Sequence, residues 1–173
     1  MRRIAIIGAA VLLSTAAFAQ SLGEKTGIDA LLGIAPSTQD FVTEAAMGGM
    51  FELESSKLAV QKADGPVKEF ASQMVSDHTK ASTELATQAK TENLSVPTTL
   101  NNSNQSKIDK LQKLAGPDFS RQYMDYQVSA HKDAVSLFQR YGKGGDNSKL
   151  KAWAITTLPT LQHHLDMAQG LDR

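Results

Sequence analysis

Apolar residues recur at steps of three and four along most of this chain, which is the spacing of one face of an α-helix. These stripes predict four long helices, over residues 38–63, 66–92, 117–141 and 146–169, and a short helix over residues 105–114. No segment alternates between apolar and polar residues at a period of two, so no β-sheet is expected. The pattern therefore predicts an all-α fold, a four-helix bundle with a short extra helix between its second and third long helices.

The segment between the second and third long helices is long enough to run the length of the bundle. This length favours a ferritin-like connection, in which the chain crosses from one end of the bundle to the other. The alternative is a simple up-down-up-down order, with the short helix capping one end.

Three residues interrupt the helical pattern. Gly48 and Gly49 lower the helix propensity of the first long helix, and we expect close approach of a neighbouring helix to compensate for them. Pro159 lies inside the stripe of the last long helix. It removes a backbone hydrogen bond and clashes with the carbonyl four residues earlier, so a kink is expected there.

The N-terminus has the features of a secretory signal peptide. Arg2 and Arg3 form a positive start, residues 4–13 are an apolar core, and Ala17-Phe18-Ala19 is a small-x-small cleavage site. The apolar run is shorter than the ~20 residues that span a bilayer, which disfavours an uncleaved anchor. Cleavage is therefore expected before Gln20.

This interpretation divides the chain into a signal peptide at 1–19, a linker at 20–37 and a bundle domain at 38–171. It places the mature protein in the periplasm, free or peripheral at the outer membrane. No later segment is apolar enough to cross a membrane, so no transmembrane span is expected in the mature chain.

Charge and composition exclude several classes of function. Basic and acidic residues number 18 each, and removing the leader takes away two arginines and no acid. The remaining chain is slightly acidic, without the basic excess that nucleic-acid binding requires. The chain has no cysteine, so disulfides, thiolate zinc sites and a cysteine nucleophile are all excluded.

Four polar residues on apolar helix faces are the candidates for chemistry. His78, His131 and His164 each lie in the stripe of a different long helix, and Glu52 lies on the small-residue face of the first. Burying such groups is costly without partners, so they are expected to satisfy one another or to hold a divalent metal ion. The fourth histidine, His163, falls off the stripe and is expected to be solvated.

A purely structural role is the alternative. In that case the histidines are core residues hydrogen-bonded to the backbone or to nearby side chains, namely Tyr123, Tyr126, Gln127 or Thr157. Counting along the helices places His164 one or two turns from the level of the others. Asp77 is predicted to be a surface charge rather than a partner that orients a histidine.

Zinc, iron and copper are the candidate metals for such a site. The di-iron carboxylate pattern needs a glutamate three residues before a histidine, but Val75, Val128 and Leu161 occupy those positions here. Ferroxidase and oxygenase chemistry is therefore disfavoured. Met74 and Met124 precede two of the histidines and fit copper, although methionine is more often a core residue.

Several stretches together resemble a bacterial family labelled domain of unknown function 4142, often described as predicted outer membrane proteins with a ferritin-like fold. The resemblance covers residues 44–171. It is carried by residues 48–54 followed by Lys57-Leu58-Ala59, by residues 70–78, by His131 and by residues 157–165. By their place in these motifs, the family's characteristic polar positions are Glu52, Asp77, His78, His131 and His164. The resemblance implies the fold and export, and it implies no activity.

Two hypotheses about function follow. The absence of a complete catalytic motif favours a non-enzymatic periplasmic bundle that binds a small ligand or an envelope protein, for example during envelope stress. The alternative is a metal-binding or redox bundle that uses Glu52, His78 and His131, with His164 as a fourth ligand.

Overall fold

The computed structural model describes residues 31–172, and the predicted signal peptide lies outside that range. Five helices and no strand occur in it, which confirms the all-α prediction. They are α1 (Thr38–Lys62), α2 (Gly65–Thr91), α3 (Asn102–Lys113), α4 (Gly116–Gly144) and α5 (Ser148–Leu171).

Side-chain caps explain where three of the helices begin. Ser37 Oγ accepts a hydrogen bond from the Asp40 amide at α1, and Asn147 Oδ1 accepts from two amides at α5. Asn101 Oδ1 accepts from the Asn104 amide, so α3 begins three residues before the predicted start. At its C-terminus α4 continues through Gly142 to Gly144, beyond the predicted end.

The order of the long helices follows from the contacts between them. Residues 63–64 join α1 and α2 into one antiparallel hairpin, and residues 145–147 join α4 and α5 into another. Phe41 packs on Phe138 and Ser56 bonds Tyr123, so α1 and α4 are also antiparallel. Consequently α2 and α4 are parallel, and residues 92–115 must cross the length of the bundle. The simple up-down-up-down alternative is wrong.

The short helix α3 lies along α1 as part of this crossover. Its buried side chains are Ile108 and Leu111. The Lys62 ammonium donates hydrogen bonds to the carbonyls of Leu111 and Leu114, at the end of the helix. These contacts fasten the crossover to the first hairpin.

Two apolar cores fill the bundle, separated by a polar layer. One core contains the stacked rings of Phe41 and Tyr141, with Phe138 and Trp153 against them. The other contains Phe70, Met74, Leu111, Phe119, Tyr123 and Met124. Between the cores lies the buried polar set, which consists of Glu52, Ser55, Ser56, His78, Gln127, His131 and His164.

The glycine prediction is wrong, and the kink at Pro159 stays a prediction. A Cβ built on Gly48 would meet nothing within 4 Å, so no neighbouring helix approaches closely there. A Cβ on Gly49 would lie 3.9 Å from side-chain atoms of His78 and Ser82. Helix α5 continues through Pro159, which faces solvent. The Thr156 hydroxyl donates to the Trp153 carbonyl, not to the Ile155 carbonyl that the proline leaves without its usual donor.

A buried histidine cluster as the candidate metal centre

Three imidazoles meet in the polar layer, one each from α2, α4 and α5. The ring centroids of His78, His131 and His164 are 5.4 to 5.7 Å apart, so they form a nearly equilateral triangle. One ring nitrogen from each histidine lies within 4.8 Å of the corresponding nitrogens of the other two. All three residues are at most 4% exposed. The structure thus brings His164 to the level of the others, and the expected offset of one or two turns is wrong.

Each imidazole has an oxygen beside one of its two nitrogens. His131 Nδ1 is 2.9 Å from the Gln127 carbonyl, and His164 Nε2 is 2.9 Å from Asp77 Oδ2. His78 Nδ1 faces Glu52 Oε2 at 3.4 Å. Since carbonyl and carboxylate oxygens accept hydrogen bonds, the two contacts of 2.9 Å place the N–H of neutral His131 and His164 on the outer side, and Glu52 is the acceptor beside His78 Nδ1. The opposite nitrogen of each ring then carries a lone pair.

Those opposite nitrogens have no hydrogen-bond partner among the described residues. They are His78 Nε2, His131 Nε2 and His164 Nδ1. The same polar layer contains two further buried oxygens without a partner in the described chain, Glu52 Oε1 and Gln127 Oε1. All five atoms supply electron pairs when the rings are neutral, so the layer has an excess of acceptors and lacks donors.

Burial keeps the rings neutral. Desolvation lowers the pKa of His78 to about 4, although the Glu52 carboxylate opposes the shift. Desolvation likewise lowers the pKa of His131 to about 4, although the hydrogen bond that the ring donates to the Gln127 carbonyl opposes the shift. The pKa of His164 is lowered for the same reason, while that of Glu52 is raised by its own burial. At neutral pH the three imidazoles are therefore uncharged bases.

The predicted site residues do not all have equivalent positions. Glu52 lies beside two of the rings, with Oε1 3.5 Å from His131 Nδ1, but it contacts their outer nitrogens. The prediction for Asp77 as a surface charge is wrong, because this half-buried carboxylate bonds His164. Burial acts to raise the pKa of Asp77, but hydrogen bonds from Gln73 and His164 outweigh it, and the pKa is lowered. His163 is exposed, as expected.

Sequence reasoning named Gln127 and Tyr123 only as partners of the histidines, and it missed Ser55 and Ser56, which join them in extending this layer. Gln127 Nε2 donates to Ser55 Oγ, and Ser55 donates in turn to backbone carbonyls of its own helix. Ser56 shares a hydrogen bond of 2.8 Å with the Tyr123 hydroxyl. Small polar residues on a buried helix face were the available signal for this network. Met74 and Met124 lie in the apolar core among aromatic rings and are not directed at the cluster by any observed contact.

A pocket of about 180 Å³ adjoins the cluster on the side of the core that holds Phe41 and Trp153. Its wall includes Glu52 and His78 together with Gly48 and Gly49. The two glycines thus line an opening beside the site.

Comparison with known proteins agrees with this fold. A family model described as a domain of unknown function, DUF4142, matches residues 24–171. The chain belongs to this family. No match was found among curated proteins. The structure of this family member is similar to a crystal structure of a DUF305 fragment from Deinococcus radiodurans, with a TM-score of 0.68 and 11% identity. The match covers 79% of this chain and 97% of that chain, and at this identity it concerns the fold alone.

Between residues 31 and 172, no helix combines the length with the apolarity that crossing a membrane requires.

Proposed function

We propose that this protein binds one divalent transition-metal ion in its core, through His78, His131 and His164, with Glu52 at the edge of the site. Two observations carry the proposal: each of the three buried rings has one nitrogen without a partner in the described chain, and one nitrogen from each ring lies within 4.8 Å of a nitrogen of the other two. In a tetrahedral zinc site, nitrogens at about 2.1 Å from the ion are ~3.4 Å apart. Binding would therefore draw the rings together by at most about 1.4 Å.

The surroundings of the rings support the same proposal. Metal-bound histidines usually donate their other ring N–H to a carboxylate or a backbone carbonyl, which fixes the tautomer and the ring orientation. Here Asp77, Glu52 and the Gln127 carbonyl occupy those positions. A purely structural histidine cluster would be expected to pair its inner nitrogens with donors, because an unsatisfied buried group costs about 1–3 kcal/mol. A cation satisfies several lone pairs at once.

Imidazole ligands suit zinc, copper, iron and nickel. The absence of cysteine disfavours a site for a soft metal. The absence of a carboxylate from the group formed by the three close ring nitrogens disfavours a di-iron centre. We propose Zn²⁺ or Cu²⁺ as the preferred ion, with three histidines as ligands and a fourth position left to water or to Glu52.

The test is titration of the purified, chelator-treated chain with Co²⁺, followed by elemental analysis. We expect one ion per chain and the intense visible absorption of tetrahedral Co²⁺, which Zn²⁺ should displace. A variant in which all three histidines are replaced by leucine should remain helical and bind no ion. An equal Co²⁺ stoichiometry for that variant would contradict the proposal and would favour the hypothesis of a non-metal partner-binding bundle.

Asp77 allows a more selective prediction. Asp77→Ala removes the acceptor that orients His164, and we expect metal affinity to fall about 10–100-fold, as for other substitutions behind a ligand. The measurement is competition for Zn²⁺ against a chromophoric chelator. Asp166→Ala is the matched control, because it removes the same charge from an exposed aspartate of α5 that does not belong to the histidine cluster. Equal losses for the two variants would point to net charge rather than to His164.

We further propose that the protein is exported and acts in the periplasm as a ferritin-like bundle. The basic start, the apolar run and Ala17-Phe18-Ala19 support export, and the bundle-length crossover supports the ferritin-like topology. Mass spectrometry of protein from the periplasmic fraction should find a chain that begins at Gln20. Recovery of intact Met1 in a membrane fraction would contradict this proposal.

A further inference from the structure

The pocket beside the histidine cluster reaches only part of the cluster. Glu52 and His78 belong to its wall, whereas His131 and His164 do not. Both wall residues are at least nine-tenths buried, and each has a polar atom without a partner among the described residues. A solute that enters the pocket therefore meets Glu52 and His78 before the other two rings.

The charged groups around the pocket favour a cation. Glu44, Glu52 and Asp133 bring three carboxylates to its wall, and Lys107 brings one ammonium group. That ammonium lies over the rings of Phe51 and Tyr126, at 5.2 and 5.6 Å from their centroids.

One more cation acts on the pocket from behind its wall. Burial raises the pKa of Glu44, and the positive charge of Arg140 opposes this shift, although Arg140 is not part of the wall. When Arg140 and Asp40, which also acts on Glu44, are both counted, the surroundings have four carboxylates and two cationic groups, and the most buried of the carboxylates is Glu52.

The glycines of α1 keep this pocket wide. At Gly48 a Cβ would have nothing within 4 Å, so the space in front of the backbone is open. At Gly49 a Cβ would approach His78 Nδ1 and Ser82 Oγ only to 3.9 Å. Glycine in a helix interior costs about 1 kcal/mol relative to alanine. No helix packs closely against Gly48, so helix packing does not explain this cost, and what the glycine leaves is open space beside the cluster.

We propose that this pocket is a second cation site, through which a partly hydrated divalent metal ion passes to reach the histidines. The inference rests on the proposed metal-binding function. Asp133 and Glu52 would replace some of the water around the ion, and Glu52, which also contacts His78, would transfer the ion inward. A passage with apolar walls alone would impose the desolvation cost of a bare ion, and carboxylate oxygens lower that cost.

The test is the rate of metal uptake. Gly48→Leu fills the pocket without a clash at Cβ and improves helix propensity, so the variant should fold. We expect stopped-flow association of Co²⁺ to slow at least about tenfold, with the equilibrium affinity unchanged within threefold, because dissociation slows equally. Gly170→Leu is the matched control, since Gly170 is a helical glycine with equally open space at the far end of α5.

Charge is tested separately from volume. Asp133→Asn should slow association several-fold at low ionic strength, and the difference should shrink as salt screens the carboxylate. Asp125→Asn, an exposed aspartate of the same helix outside the pocket wall, should leave the rate unchanged. Normal association rates in both Gly48→Leu and Asp133→Asn would overturn the uptake path alone. Unimpaired Co²⁺ binding by the triple histidine variant would overturn the metal-binding function itself.

Discussion

Replacement of any one of the three clustered histidines by alanine should weaken metal binding by about 100-fold or more. The estimate follows from the loss of a direct ligand, because substitutions behind a ligand already cost 10–100-fold. His78, His131 and His164 come from three different helices and supply one inner nitrogen each, so the three losses should be similar. Competition for Zn²⁺ against a chromophoric chelator measures all three variants on one scale.

The neighbouring residues His163 and His164 provide the control for this series. His163 is exposed while His164 is buried in the cluster, and both lie at the same point of α5. His163→Ala should bind metal with unchanged affinity. Circular dichroism of each chelator-treated variant separates lost ligation from lost folding, and His131→Leu, which fills the space of the ring, serves where alanine destabilises the core. A variant series in which His163→Ala loses as much affinity as His164→Ala would contradict the proposed ligand set.

Titration of the clustered histidines should make the metal-free protein less stable as the pH falls from 7 to 5. The unfolded histidines titrate near 6.5, whereas folding holds the pKa of His78 and of His131 at about 4. Between these values the unfolded chain binds more protons than the folded chain, so the free energy of unfolding decreases as pH falls. Each unit of difference corresponds to about 1.4 kcal/mol. The lowered pKa of His164 acts in the same direction.

The raised pKa of Glu52 acts in the opposite direction, because the folded state takes up that proton more readily. Two imidazoles with pKa values of about 4 and a third with a lowered pKa act against this one carboxyl, so we expect a net loss of stability that is smaller than the histidine contribution alone. Urea unfolding of chelator-treated protein at pH 7, 6 and 5 measures the slope. His131→Leu should flatten the slope, because it removes one of the two imidazoles whose pKa is held at about 4. Stability that is independent of pH over this range would show that the rings are not buried as neutral bases.

The helices were predictable from the sequence because each has a long apolar stripe and clear breaks at Gly65-Pro66, Gly116-Pro117 and Gly144-Gly145. The start of α3 was missed by three residues, because Asn101 caps it before any apolar residue appears. The crossover was left open between two topologies. Only the contacts between α1 and α4, such as Ser56 with Tyr123, decide between them.

The members of the candidate site were found from their place in apolar stripes, but their relative levels were not. Periodicity gives a residue's position along its own helix and says nothing about the axial offset between two helices. His164 lies near the end of α5 and was therefore expected to be off the level of the other histidines. It meets His78 because the adjacent ends of α5 and α2 are offset along the bundle axis. Asp77 was misread for a related reason: its partner lies on a helix 87 residues further along the chain. The openness around Gly48 also depends on neighbours that no local pattern reveals.

The crossover between α2 and α4 has one more consequence. It divides the bundle into two helical hairpins, of which the first contributes Glu52 and His78 and the second contributes His131 and His164. The chain has no cysteine, so no disulfide can join the hairpins. An ion held by rings from both would be a reversible cross-link, closing a loop across the entire crossover. Acid or a chelator would then loosen the two hairpins from each other, as a reductant loosens a protein that depends on a disulfide.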